Sequence, residues 1–180
     1  MKAPFSEYLT SIAPNVKEVI DDLNRDHDYV SALCTDSKGL VIRIGSRARS
    51  ISNKTMTTER GVVFRVCKNK KYSEYAVNNA DWNDTAAIIG RIREELDKQD
   101  ALLAKTGSDI YETDVLDDEP LTFFGEKETG SLPEKANIKE LTEKLIAISD
   151  KGMKMSENVI ECMAIAQSTH ISKMFLTKNR

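Results

Sequence analysis

Two histidines, His27 and His170, are the only imidazoles in 180 residues. A zinc ion held on a helix needs two His about one turn apart, with a Glu nearby to polarise the bound water. Neither His27 nor His170 is followed by Glu, and no His pair stands at helical spacing. His27, in Arg25-Asp26-His27-Asp28-Tyr29, falls where a first helix ends, and a cation there favours the helix dipole. A metal or switch role is the alternative. His170 falls between two strand-like runs, in a turn open to solvent. The cysteines Cys34, Cys67 and Cys162 are odd in number, far apart and each in an apolar setting. They read as buried thiols and not as a zinc knuckle or a disulfide framework.

The basic residues Arg43, Arg47, Arg49, Lys54, Arg60 and Arg65 form the one concentration of charge with a possible partner. If the strands carrying Arg43 and Arg65 pair, the two share a sheet face. That face is either a solvated surface dressed with long cations or a contact for an acidic peptide or protein partner, and Arg43, Arg60 and Arg65 are its candidate contact residues. Other chemistry is absent from the pattern. Ser37-Lys38-Gly39 and Ser46-Arg47-Ala48 lack the strand–Ser–helix setting of a nucleophile elbow. No glycine-rich phosphate loop is present. The acidic run Asp114 to Glu119 lacks the alternating ligands and central Gly of a calcium loop and reads as a solvated face. No catalytic, cofactor or metal residue is assigned in this chain.

The elements that would carry these residues follow from periodicity. Leu9, Ile12, Val16, Val19, Ile20 and Leu23 recur near a 3.6-residue period and predict a helix over Phe5 to Arg25. Pro14 should kink it or start a second helix capped near Ser11 or Ala13. Asp28 to Thr35 and Leu40 to Ser50 read as two strands joined by a turn at Ser37-Lys38-Gly39, hence antiparallel. Ile51 to Thr58 extends the second strand or connects it onward. Val62, Phe64 and Val66 alternate with Val63, Arg65 and Cys67, so Glu59 to Asn78 reads as two further strands about a lysine-rich turn. Asp84 caps a helix to Leu103, with Ile88, Ile89, Ile92, Leu96 and Leu103 on one stripe. Gly107 to Pro133, acidic and punctuated by Gly and Pro, is a long surface connection, anchored by Tyr111, Phe123 and Phe124. Asn137 caps a helix over Ile138 to Ser149, with Glu140 completing a capping box and Ile138, Leu141, Leu145 and Ile148 in register. Asn158 to Lys178 reads as a closing hairpin about Thr169-His170. The expected class is α+β: a four-strand antiparallel meander plus that hairpin, with helices on one face.

Composition narrows the function classes. Hydrophobic residues at 40% and charged residues at 31% suit one globular unit. A formal net charge of −3 leaves no footprint for nucleic acid. No apolar run approaches the roughly 20 residues needed to cross a bilayer. The opening residues, with Glu7 among them, do not read as a signal peptide. A cytoplasmic protein is expected.

The strand Arg60-Gly61 through Arg65-Val66, its polar turn, the aromatic Tyr72 after it and the amphipathic helix beyond resemble the amino-terminal domain of the TldD/PmbA family, zinc metalloproteases that include modulators of DNA gyrase. The resemblance extends over most of the chain, through helix, meander, helix, variable connection, helix and closing strands. Lys68-Asn69-Lys70-Lys71 departs from the family's glycine-containing turn, and Ser73-Glu74 from its small residue after the aromatic. The resemblance implies zinc on an HExxxH helix, with a later cysteine, in a carboxy-terminal domain outside these 180 residues. It also implies a homo- or heterodimer around a chamber that admits unstructured peptides, in which one subunit can lack the metal ligands. The expected role is thus the non-catalytic domain of a zinc metallopeptidase or of its inactive partner. A free-standing module that takes a peptide along its sheet edge is the second reading. An independent small enzyme is the third, and no convergent acid, base and nucleophile set supports it.

Overall fold

A computed structural model describes residues 2–54, 60–106 and 111–180. The elements in chain order are α1 (Glu7–Leu23), β1 (Tyr29–Ile44), β2 (Arg49–Ser52), β3 (Arg60–Lys68), β4 (Lys71–Val77), α2 (Thr85–Thr106), α3 (Ile138–Met153) and β5 (Ala164–Thr177), with a short 3-10 turn at Pro133–Lys135 before α3. The class is α+β, as expected. Strand β1 pairs with β2, β3 and β5, and β3 pairs with β4; the β1–β2, β1–β3 and β3–β4 pairings are antiparallel. No described helix is long and apolar enough to cross a membrane.

The chain divides into two compact units, and β1 and β5 contribute to both. In the first (described residues 2–5, 37–54 and 126–171), the carboxy-terminal half of β1 meets β2 in the register Val41↔Ser52 to Ile44↔Arg49. The core here joins Leu40, Ile42 and Ile44 of β1 to Leu145 of α3 and Ala164 of β5. Asn137 caps α3 as expected, accepting the Glu140 backbone N–H at 3.2 Å. The buried stripe of α3 differs from the expected one. Leu145 and Ser149 are buried, whereas Ile138 and Ile148 are exposed, Ile148 at 58%. Ser149 turns inward because its hydroxyl donates to the Cys162 carbonyl at 2.7 Å.

In the second unit (described residues 6–36, 60–106, 111–125 and 172–180), β1 and β3 align Val30↔Val66, Ala32↔Phe64 and Cys34↔Val62, so six buried side chains line one face. The apolar stripes of α1 and of α2, the latter through Ile88, Ile92 and Leu96, are buried in the same unit. Helix α1 runs unbroken through Pro14, capped by Ser6 and not by Ser11 or Ala13. The lost hydrogen bond and ring clash cost about 3 kcal/mol. Burying the six apolar side chains of its stripe contributes roughly 9 kcal/mol or more, so the helix persists. Asp84 caps α2 as expected, accepting the Ala87 N–H at 3.0 Å.

Three strand expectations are corrected. Ser37-Lys38-Gly39 is not a turn, because β1 continues through it with Asp36 and Ser37 buried. Partners along its length, β3 at Tyr29 to Asp36 and β2 at Val41 to Ile44, outweigh the local turn preference. The hairpin comes later, where the Gly45 N–H donates to the Ala48 carbonyl at 2.9 Å. Of Ile51 to Thr58, Ile51 and Ser52 extend β2, while residues 55–58 lie outside the described residues, as does Glu59 at the expected start of the third strand. The closing segment is one strand, β5, and not a hairpin.

The β3–β4 turn is as expected and tight. Asn69 and Lys70 have φ of 51° and 63°, the left-handed pair of a two-residue turn. The Asp28 carboxylate accepts the Asn69 N–H at 2.8 Å, offsetting part of the backbone cost. Beyond α2, residues 111–132 contain no helix or strand beyond one isolated pairing, Lys2↔Glu128, in keeping with a surface connection. The anchoring role expected of its aromatics is corrected. Tyr111 is 89% and Phe123 85% exposed, and Phe124 is exposed too. Polar contacts hold the part of the segment that lies in the second unit: Lys70 with Asp114 at 3.1 Å, and Asn179 and Arg180 with Asp118. Asp109, also assigned to this connection, lies outside the described residues.

Candidate functional site

In the second unit a chain of polar contacts gathers around one nearly buried carboxylate, Asp36. Ser6 precedes the first helical residue with extended backbone, and its Oγ accepts the Leu9 N–H at 3.2 Å. The same hydroxyl donates to Oδ2 of Asp36 at 2.5 Å. Asp36 lies on β1 directly opposite Arg60 of β3, and Arg60 Nε–H donates to Oδ1 at 3.0 Å. The Arg60 guanidinium also lies 3.8 Å over the Tyr8 ring, a cation–π contact. Tyr8 Oη accepts from Trp82 Nε1 at 3.0 Å, and the Ser6 N–H donates to Ser172 Oγ at 3.1 Å. A buried carboxylate is costly without such partners. The Ser6 hydroxyl beside the Asp36 carboxylate also serves as the cap of α1. The chemistry of the cluster is that of an anchor joining the start of α1 to two strands.

The three arginines singled out from sequence are divided between the two units, with Arg60 and Arg65 both on β3. Arg43 lies in the first unit, opposite Ser50 of β2. Arg65 lies in the second, opposite Ser31 and Glu74, because β3 pairs with the Tyr29 to Asp36 half of β1. Its Nε is 3.3 Å from Glu74 and its guanidinium 4.9 Å from the Tyr72 ring, so it sits as a cation on an open sheet face. The Tyr72 phenol is pushed up, first by desolvation.

His27 is placed as expected. Its Nδ1 is 2.8 Å from the Leu23 carbonyl at the end of α1. His170 is not in a solvated turn. It lies mid-strand in β5, its side chain only 10% exposed, with Nδ1 2.8 Å from Glu134 and Nε2 3.0 Å from the Pro4 carbonyl. No sequence signal pointed to these partners, which lie 36 and 166 residues away. Cys34 and Cys67 are buried and Cys162 is half-buried. Burial pushes the Cys34 thiol up to about 12, far from a reactive thiolate. Among the described residues no group of three or more His, Cys, Asp or Glu is placed to hold a metal ion.

A cavity of about 280 Å³ opens where β4 runs into α2. Val77, Ala87 and Ile88 supply its apolar wall, and Asp81, Asp84 and Arg91 its polar side. The open edge of β4 beside it is partly occupied. The Glu74 carbonyl accepts from Gln99 at 3.4 Å, and in the turn just before β4 the Lys70 carbonyl accepts from Thr113 N–H at 2.9 Å.

The chain matches no protein-family profile and no curated protein. Solved structures do share its fold. A protein proposed as a modulator of DNA gyrase from Bacteroides thetaiotaomicron superposes with a TM-score of 0.66 at 13% identity, over 97% of this chain and 38% of its own. TldE from Thermococcus kodakarensis superposes with a TM-score of 0.52 at 16% identity, over 91% of this chain and 36% of its own. This chain therefore spans well under half the length of either. At these identities the likeness establishes the fold, and the two structures carry the names to which the sequence resemblance pointed.

Proposed function

We propose that this chain acts as a non-catalytic amino-terminal domain of a TldD/PmbA-like metalloprotease, helping to form a dimer and the chamber that admits unstructured peptides. The observation that carries this reading is the fold match over 97% of the chain, confined to 38% of a larger protein. The site geometry supports it. Among the described residues, the polar cluster about Asp36 is an anchor, and no group of three or more His, Cys, Asp or Glu is placed to hold a metal ion. Zinc and hydrolysis would belong to another domain, in this polypeptide or in a paired subunit. The peptide edge-binding module is the weaker alternative, because Gln99 already occupies the Glu74 carbonyl on β4 and Thr113 the Lys70 carbonyl in the turn before it.

Two measurements test the proposal. Reading the coding frame past Arg180 should show HExxxH and a later Cys, or a subunit of similar length without them; a stop codon there would remove the domain reading. Elemental analysis of the purified 180-residue chain should show no stoichiometric zinc, and a peptide panel no turnover. A tight one-to-one zinc complex or clear hydrolysis would refute the non-catalytic assignment.

A further inference from the structure

The cavity between β4 and the start of α2 lies wholly in the second unit and is charged at both ends. Asp84, Ala87, Ile88 and Arg91 follow one another at i, i+3, i+4 and i+7, so they run along one face of α2. Facing them is Val77, the last residue of β4. Val77 and Ile88 are each only 7% exposed and form the apolar wall with Ala87. The carboxylates of Asp81 and Asp84 stand at the amino end of the helix, and Arg91 stands two turns further on.

These charges are only partly engaged. Oδ1 of Asp81 accepts the Asn83 N–H and its side-chain amide, both at 3.0 Å, and Oδ1 of Asp84 accepts the Ala87 N–H at 3.0 Å. Neither Oδ2 has a protein partner among the described residues, and neither has the Arg91 guanidinium. A simple anion would meet Arg91 but be repelled by two carboxylates, and a simple cation would meet the reverse. A wholly apolar guest would strip water from three charges and return nothing. A guest with an ammonium at one end, an apolar middle and a carboxylate at the other end satisfies all three. The length follows from the helix. Seven residues rise about 10 Å, the reach of about three extended peptide residues. Helical side chains lean toward the amino end, so the long Arg91 side chain shortens that gap to about two or three residues.

We propose that this cavity binds a short apolar peptide with free ends, its ammonium at Asp81 and Asp84 and its carboxylate at Arg91. Its apolar side chain rests on Val77, Ala87 and Ile88. Such peptides are also what the proposed parent protease would release. The cavity belongs wholly to this chain, so its occupancy is tested apart from that reading.

The test is titration of the full chain with alanyl-leucyl-alanine, followed by amide NMR and calorimetry. Saturable shifts should centre on Ala87 and Ile88 with a Kd of about 1 mM or tighter, the range open to so small a ligand. Amidating the carboxyl end, or acetylating the amino end, should each weaken binding about tenfold, as expected for one lost charge-assisted hydrogen bond. Arg91→Gln should weaken the free peptide by a similar factor and make amidation nearly without effect. Asp81→Asn, which keeps an oxygen for Asn83, should do the same for acetylation. These crossed losses separate a direct contact from a general change in the fold. No saturable shift at Ala87 and Ile88 up to about 10 mM peptide would overturn the site. So would equal binding of a peptide blocked at both ends, or amidation that still costs tenfold in Arg91→Gln.

Discussion

Arg60 donates its Nε–H to Asp36 at 3.0 Å across the β1–β3 pair, joining a half-exposed guanidinium to a carboxylate only 7% exposed. The asymmetry sets what each partner contributes. Asp36 has Ser6 as a second hydrogen-bond donor, so it also steadies the residue that caps α1. Asp36→Ala should lower stability by about 2 kcal/mol, the sum of a lost charged hydrogen bond and a weakened cap. Arg60→Ala should cost somewhat less, about 1 kcal/mol, because solvent screens the exposed guanidinium. Urea unfolding of both variants and the double variant measures this. Fully additive losses would show that the two residues do not act as a pair.

Gly152, in the last turn of α3, has no room for a methyl group. A Cβ there would lie 2.3 Å from Cys162 Sγ and 3.2 Å from Cys162 Cβ. Gly152→Ala should destabilise by about 1–3 kcal/mol through overpacking, despite the better helix propensity of Ala. Adding Cys162→Ala should recover most of the loss. If thermal melts show Gly152→Ala unchanged or stabilised, the close approach of α3 to the segment before β5 is wrong.

Lys70 occupies the second left-handed position of the β3–β4 turn at φ 63°, where glycine is favoured. Lys70→Gly should stabilise by about 0.5–1 kcal/mol. The ion pair it gives up, with Asp114, is largely exposed and counts for little. A loss of stability in chemical denaturation would mean that the contact with Asp114 outweighs the backbone strain.

Glu134 carries a pH dependence of definite sign. Its carboxyl is lowered in the folded state, since burial is outweighed by its own N–H, His170 and Lys38. A lowered carboxylate contributes stability that is present above its unfolded value, about 4.3, and lost as pH falls through the folded value. Glu134→Gln should flatten that acid limb while leaving the rest of the profile in place. Equal acid sensitivity in the two proteins, by calorimetry from about pH 2 to 6, would count against these contacts.

Limited proteolysis should cut first within residues 111–132. Tyr111, Phe123 and Phe124 are exposed there, and the backbone has little regular pairing. First cleavage within Arg60 to Val77, which is paired through β3 and β4, would contradict the strand assignments.

Amino-acid order alone determined what depends on neighbours a few residues apart. Asp84 and Asn137 cap their helices because a short side chain reaches an N–H three residues on. The stripe from Leu9 to Leu23 and the alternation from Val62 to Val66 encode a helix and a strand through their own periods. Asn69-Lys70 marks its turn for the same local reason. Only the tertiary structure decided the rest. Pro14 stays inside α1 because distant burial outweighs a local break. Ser37 to Gly39 stays extended because β2 and β3 supply partners along β1. Ile148 turns outward while Ser149 turns inward to a carbonyl beyond its own helix. Asp36 finds Arg60 across a strand pair, and His170 finds Pro4 from 166 residues away. Each of these outcomes compares a local preference of about 1–3 kcal/mol with pairings and burial made elsewhere in the chain, which local order does not contain.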